Sequence, residues 1–192
     1  MANSKIIIIE GAQGAGKTTI TDFLRHSIKY TNLYRLTGTA DSSPEGKKKA
    51  EIMYRNLLSY MKTLENLNIN LLFDRTFFSE EAYGRLGYKE YSFTDVYESL
   101  LEELSKMDFE IYYITLYVED ESLFEKRIQR EGKAEPKYAK FTAQNSINQQ
   151  RVYLKMAEEV KEKYPNIHVV NIENGNRSLE EVEAELKELL DN

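Results

Sequence analysis

A glycine-rich segment close to the amino terminus has the residue types and spacing that bind phosphate groups. Residues 11–18 read Gly-Ala-Gln-Gly-Ala-Gly-Lys-Thr and match the pattern Gly-x-x-x-x-Gly-Lys-Ser/Thr at every position. In this pattern backbone N–H groups surround phosphate oxygens, the lysine reaches the outer phosphates and the threonine hydroxyl binds magnesium. The sequence therefore predicts that ATP and Mg²⁺ bind here. The residues expected to contact this cofactor are Gly11, Gln13, Gly14, Ala15, Gly16, Lys17, Thr18 and Thr19, with Thr18 as a metal ligand.

A second segment places a carboxylate and a guanidinium directly after an apolar run. Asp74 and Arg75 follow the residues Leu-Leu-Phe. Asp74 can hold a magnesium-bound water or Lys17, and Arg75 can bind the phosphate of an acceptor through two hydrogen bonds. The alternative is an exposed ion pair at the end of a strand.

A third segment is rich in cations. Arg127 and Arg130 are three residues apart on one predicted helical face, and Gly132 with several lysines follows. A lid over residues 127–140 could close on ATP, and an arginine brought in by such closure accelerates phosphoryl transfer by about 10³ to 10⁵. We therefore include both arginines, together with Lys17, Asp74 and Arg75, among the catalytic candidates. The alternative is a solvated helix in which they pair with Glu125 and Glu131.

Short apolar runs that alternate with helical periodicities must position these three segments. The predicted strands cover residues 6–9, 33–36, 69–73, 111–118 and 167–172, and helical patterns separate them. This order favours right-handed crossovers, a parallel sheet and a site beyond the carboxyl ends of the strands. We expect an α/β protein with a three-layer P-loop NTPase fold. Its five-stranded parallel sheet carries helices on both faces, and residues 1–192 form a single domain with a lid.

Composition restricts the class of protein further. The chain has 41% hydrophobic and 30% charged residues, no cysteine and a formal net charge of −6. A negative charge disfavours nucleic acid as a partner, because nucleic-acid binding relies on a basic face. The apolar run near the amino terminus is far shorter than the roughly 20 residues that cross a bilayer, so no membrane association is expected. Without cysteine nothing requires an oxidising compartment, and the cytoplasm is the expected location.

The two motifs together resemble those of thymidylate kinase and its phage-type deoxynucleoside monophosphate kinase relatives. The resemblance rests on Ile-Glu-Gly-x-x-Gly-Ala-Gly-Lys-Thr-Thr, beginning at Ile9, and on Asp-Arg-x-x-x-Ser-x-x-Ala-Tyr, beginning at Asp74. It implies that Arg75 contacts the acceptor phosphate and that Tyr83 packs beside the sugar, with Ser79 in the same substrate site. It also implies a lid arginine, a homodimer and backbone contacts to adenine near Asn174.

Other positions match the family in part. Arg35 resembles the arginine of the family's Arg-Glu-Pro-Gly-Gly-Thr segment, which also holds the acceptor phosphate. Tyr54 and Arg55 lie near the position of the family's Phe-x-x-x-Arg pair, which stacks on and reads thymine. Gln13 replaces the usual acid of the loop, and Glu80 stands where the family often has an amide or another small polar group that helps to read the base.

The chemistry of the acceptor separates the candidate functions. The oxygen of a phosphate monoester is already anionic near neutral pH, whereas a sugar hydroxyl needs a carboxylate base. Nucleoside kinases of this type keep a glutamate just after the second strand, where this chain has Arg35. We therefore expect transfer to a deoxynucleoside monophosphate, with dTMP first. The alternatives are a deoxynucleoside kinase and an ATP-binding regulator that hydrolyses ATP slowly.

Overall fold

A computed structural model describes residues 4–130 and 142–191. Five strands and seven helices are defined in these ranges. The strands are β1 (Lys5–Gly11), β2 (Thr31–Arg35), β3 (Asn70–Asp74), β4 (Glu110–Tyr117) and β5 (Ile167–Glu173). The helices are α1 (Lys17–Ser27), α2 (Pro44–Thr63), α3 (Phe77–Arg85), α4 (Thr94–Ser105), α5 (Ser122–Arg130), α6 (Ala143–Lys163) and α7 (Leu179–Asp191).

The five strands form one parallel sheet in the order β2-β3-β1-β4-β5. The central strand β1 is buried on both faces, which explains its run of isoleucines. Ile9 pairs in register with Asp74 of β3 on one side and with Ile114 of β4 on the other. The carboxyl ends of β1 and β3 therefore lie side by side, and this brings the two motifs together.

Helices cover both faces of the sheet in three layers. Ile7 and Ile9 pack with residues of α1 and α7 on one face. Ile6 and Ile8 pack on the other face with residues of α2, α3, α4 and α6. Alternate side chains of one strand thus reach two separate cores, as expected for strand geometry. The predicted fold class and all five strands are confirmed.

Two features differ from the sequence-based expectation. The sequence pattern does not predict α3, because this helix has no apolar stripe: it buries the adjacent Phe77 and Phe78 together with polar residues. On α2 the apolar Ile52 is 53% exposed, so the apolar residues of this helix do not all face the core. The helix instead buries Gly46, Ala50, Tyr54, Leu58 and Met61.

The proposed lid is described only in part. Its first residues, up to Arg130, belong to α5, whereas Gly132 and the lysines up to residue 140 lie outside the described residues. Within residues 4–130 and 142–191, no helix is long and apolar enough to cross a membrane.

Candidate active site

The phosphate loop joins β1 to α1, as the motif requires. Gly16 caps α1 with a φ of 95° in the left-handed region that favours glycine. A side chain there would collide with the amide of Asn174. The Nζ atom of Lys17 donates to the carbonyls of Gly11 and Ala12, at 2.8 Å each. The amino end of α1 and the lysine charge therefore face the same space, which suits a phosphate group.

Side chains from α6 fix the first half of the loop. The backbone N–H of Gln13 donates to the side-chain oxygen of Gln149 at 3.0 Å. The hydroxyl of Ser146 donates to the Gln13 carbonyl at 2.8 Å. Sequence reasoning missed Ser146 and Gln149, because both lie more than 130 positions from the loop and belong to no motif.

Arg127 and Asn174 fix the second half of the loop. The guanidinium of Arg127 donates to the carbonyls of Gly14 and Asn174, at 2.6 Å each. The Asn174 amide donates to the Ala15 carbonyl at 2.7 Å. Arg130 lines the cavity that contains the phosphate loop. Of the two arginines of the proposed lid, Arg127 thus binds the phosphate loop directly through the Gly14 carbonyl in this structure.

Asp74 lies at the end of β3 beside the loop and is 6% exposed. Its Oδ2 atom accepts from the Nε atom of Arg35 at 3.3 Å and from the Thr21 hydroxyl at 3.5 Å. A second guanidinium nitrogen of Arg35 donates to Asp22 at 2.7 Å. Arg35 therefore lines the phosphate-loop cavity and is held there by two carboxylates.

The chemistry of Thr18 and Asp74 fits a magnesium ion bound together with ATP. Both residues line the phosphate-loop cavity, and both offer the oxygen ligands that Mg²⁺ prefers. The described ranges contain no group of three or more His, Cys, Asp or Glu side chains that could hold a metal ion. Magnesium is usually bound by one or two protein oxygens together with substrate phosphates, so two protein ligands are sufficient.

Arg75 begins the turn between β3 and α3. Its φ is 73°, a conformation that is uncommon for a residue with a side chain. Its backbone N–H donates to the Ile9 carbonyl at 3.1 Å. The guanidinium hydrogen-bonds to the hydroxyl of Tyr83 and lies 5.9 Å from the centre of that ring. The turn and Tyr83 therefore hold the arginine in one position.

Glu10 forms a buried polar network beneath Arg75, and sequence reasoning gave it no role. Its carboxylate accepts from the Thr76 N–H at 2.8 Å and from the Ser79 hydroxyl at 2.7 Å. The Ser79 hydroxyl also hydrogen-bonds to that of Tyr153 at 2.8 Å. Complete burial raises the pKa of Glu10 to about 7, although these hydrogen bonds and the charges of Arg75 and Lys17 oppose the rise. The network fixes the start of α3 and with it the position of Arg75.

Two cavities meet at Arg75. The first has a volume of about 470 Å³ and contains the phosphate loop, Arg35, Asp74, Arg130 and Arg177. The second has a volume of about 370 Å³ and lies between the segment that follows β2 and the helices α2 and α3. Both volumes are in the range of small-molecule sites. The residues that line both cavities are Gln13, Leu36, Thr37 and Arg75.

The second cavity contains most of the predicted substrate residues. Tyr54, Ser79 and Tyr83 line it together with Arg75. The structure places Arg55 elsewhere: its guanidinium pairs with Glu51 at 3.1 Å, and it lines neither of these two cavities. Neighbouring residues on a helix point about 100° apart, so only one of Tyr54 and Arg55 faces the sheet. In this structure Arg55 therefore lies apart from the other predicted substrate residues.

Solved structures of nucleoside and nucleotide kinases have the same fold as this chain. A thymidylate kinase from Candida albicans superposes with a TM-score of 0.72 at 16% identity, covering 100% of this chain and 92% of that one. The chain has the thymidylate kinase-like P-loop fold. A deoxyadenosine kinase from M. mycoides gives 0.63 at 18% identity over 97% of this chain and 98% of its own. A thymidylate kinase from Ehrlichia chaffeensis gives 0.62 at 16% identity over 98% and 99%. No protein-family model matches the sequence, and no curated protein gives a significant match.

Proposed function

We propose that the protein transfers the γ-phosphoryl group of ATP, bound with Mg²⁺, to the phosphate of a deoxynucleoside monophosphate. The observation that supports this most strongly is the meeting of the two cavities at Arg75. One cavity has a phosphate loop and the other has space for a nucleoside. A guanidinium at their junction suits the phosphate of an acceptor, since it can bind two oxygens at once.

The loop residues supply the donor side of this reaction. Backbone amides of residues 13–19 and Lys17 would hold the β- and γ-phosphates, while Thr18 and Asp74 would hold magnesium. When bound, this ion neutralises charge on the transferring group. An acceptor phosphate oxygen then attacks the γ-phosphorus, the bond to the β–γ bridging oxygen breaks, and ADP leaves. The work of the protein is positioning and charge stabilisation.

The junction favours a monophosphate acceptor over a sugar hydroxyl. None of the four described residues that line both cavities carries a carboxylate. Asp74 is bonded to Arg35, and Glu10 is buried beneath Arg75 with its oxygens occupied by Thr76 and Ser79. A hydroxyl nucleophile at the junction would find no carboxylate among these four residues to act as its general base, whereas a phosphate monoester is already an anion near neutral pH.

The resemblance to thymidylate kinases favours dTMP as the acceptor, and two of the superposed structures are thymidylate kinases. The superposed deoxyadenosine kinase supports a second candidate function, that of a deoxynucleoside kinase. A cytoplasmic protein that acts on small nucleotides, in one domain and as a homodimer, would be consistent with this proposal.

Steady-state ADP formation tests the proposal. The assay contains ATP, Mg²⁺ and one acceptor, drawn from deoxynucleoside monophosphates and the matching deoxynucleosides. We expect ADP release that depends on a monophosphate, and Arg75→Ala should lower kcat/KM for the acceptor by about 10²- to 10³-fold. Arg55→Ala is the matched control and should retain activity. Turnover of a deoxynucleoside but not of its monophosphate would favour the second candidate, and ADP release unaffected by any acceptor would refute both.

A further inference from the structure

A buried ion pair lies in the wall of the second cavity. The side chain of Glu80 is 3% exposed and that of Lys89 is 9% exposed. Their charged atoms are 3.5 Å apart, and Lys89 also donates to the Thr39 carbonyl at 3.2 Å. Charges are rarely buried to this extent unless they are paired and hydrogen-bonded. This pair is away from the phosphate loop, whose cavity it does not line.

The bonding of Glu80 is incomplete. Its Oε2 atom faces Lys89, but its Oε1 atom has no hydrogen-bond partner within residues 4–130 and 142–191. The buried hydroxyl of Thr39, a residue that lines the same cavity, also lacks a partner in these ranges. A buried polar atom without a partner is unfavourable, and more so when it is charged. Two such atoms in one cavity wall indicate a place where a ligand supplies the missing hydrogen bonds.

Space in front of the carboxylate allows this contact. A Cβ atom on Gly38 would lie 3.5 Å from Glu80 Oε1 and 3.6 Å from the Tyr54 hydroxyl. Because residue 38 has no side chain, the place of a Cβ atom between these groups is unfilled, and a ligand atom that enters it would come within contact distance of the carboxylate. Tyr54 and Tyr88 provide aromatic walls to the same cavity.

The free oxygen of Glu80 accepts hydrogen bonds and cannot donate while it is ionised. Burial raises the pKa of Glu80, and the charge of Lys89 together with hydrogen bonds from Lys89 and the Thr39 backbone opposes that rise. In the ion pair with Lys89, at 3.5 Å, the carboxylate is the negative partner. An ionised carboxylate selects a ligand edge that offers N–H groups. Among nucleobases, an exocyclic amino group is such an edge on adenine, cytosine and guanine.

Resting on the function proposed above, we propose that Glu80 binds the exocyclic amino group of the acceptor's base, so that amino-bearing bases are preferred to thymine and uracil. The only ring donor of thymine or uracil lies between two carbonyl oxygens. A carboxylate that approaches this donor is repelled by both oxygens, whereas an amino group projects from the ring. This proposal reverses the expectation of dTMP that the family resemblance gives.

Matched pairs of acceptors test the proposal on the unmodified protein. dCMP and dUMP differ only in a 4-amino or 4-oxo group and its ring proton, and dAMP and dIMP differ similarly at position 6. We expect kcat/KM to favour dCMP over dUMP and dAMP over dIMP for at least one pair, by about 10- to 100-fold. Equal or reversed preference in both pairs, or dTMP as the best acceptor, would overturn the assignment and leave the kinase proposal intact. ADP release with no acceptor would instead refute the kinase proposal.

The conservative variant Glu80→Gln tests whether Glu80 causes the preference for amino-bearing bases. Glu80→Gln keeps the size of the side chain and adds an N–H donor that can bind a 4-oxo or 6-oxo group. We expect it to lose the preference for the amino member of each pair by about 10-fold or more and to gain activity with dTMP. Glu98→Gln makes the same change at an exposed position on α4 and should leave the preferences unchanged. A preference for the amino member that survives in Glu80→Gln would show that another group recognises the base. If this variant fails to fold, the acceptor pairs measured on the unmodified protein still test the proposal.

Discussion

Replacing Glu10 with glutamine should change how the stability of this protein depends on pH. Glu10 is completely buried and accepts hydrogen bonds from Thr76 and Ser79. Glutamine fits the same space and keeps one acceptor oxygen for Thr76. The hydroxyls of Ser79 and Tyr153 can exchange donor and acceptor roles, because either atom of that pair can donate. The main change is therefore the loss of an ionisable group.

The magnitude follows from the two pKa values of Glu10. Burial raises its pKa from an ordinary value of 4.5 to about 7 in the folded protein. Between these values folding takes up a proton, so the stabilising contribution is complete below pH 4.5 and is lost as pH rises through about 7. At about 1.36 kcal/mol for each pH unit, the whole interval corresponds to about 3 kcal/mol. Most of it, about 2.5 kcal/mol, falls between about pH 5 and pH 8.

Urea unfolding at several pH values measures this contribution. The free energy of unfolding of the unmodified protein, relative to Glu10→Gln, should fall by about 2.5 kcal/mol from about pH 5 to pH 8. Glu98→Gln, an exposed change of the same kind, should show no such trend. A difference between the protein and Glu10→Gln that is constant across this range would refute the reasoning, since it would mean that Glu10 ionises alike in both states.

Three further changes test other contacts. Lys17→Ala should lower kcat for ADP formation by about 10²-fold or more, with an unchanged circular dichroism spectrum, because the lysine charge faces the donor phosphates; normal turnover would contradict this role. Gly11→Ala should lower the free energy of unfolding, measured by urea denaturation, by about 1–3 kcal/mol, because φ is 152° and the new Cβ would lie 2.7 Å from the Leu116 carbonyl oxygen. An unchanged urea midpoint of unfolding would contradict this strain. Arg127→Ala should weaken ATP binding by about 10-fold in calorimetry, because it removes the bond to the Gly14 carbonyl; an unchanged Kd would show that the loop is held without it.

The sequence predicts the parts of the site that are continuous along the chain. The phosphate loop is a single segment with a fixed pattern, and Asp74 with Arg75 directly follows an apolar run. Each lies at the carboxyl end of a strand, and parallel strands bring these ends together. The three-layer fold and the position of Arg75 near the phosphate loop could therefore be predicted from the sequence.

The sequence does not predict contacts between distant segments. Ser79 meets Glu10 across 69 positions, and Gln149 meets Gln13 across 136 positions. No local pattern predicts which partners these side chains contact, because Glu10 lies on β1, Ser79 on α3 and Gln149 on α6, and the contacts form only when these elements pack together. The same limit explains Arg55: helical phase decides whether it or Tyr54 faces the cavity, and the apolar pattern of α2 does not fix that phase to one residue.

The most direct test is a crystal structure with a bisubstrate analogue, in which adenosine and a deoxynucleoside are joined through five phosphates. We expect the donor phosphates to lie within the loop that begins at Gly11. The phosphate next to the deoxynucleoside should lie about 2.7–3.1 Å from the guanidinium of Arg75, with the base in the second cavity. An analogue whose deoxynucleoside phosphate lies away from Arg75, or whose base lies outside that cavity, would contradict the account.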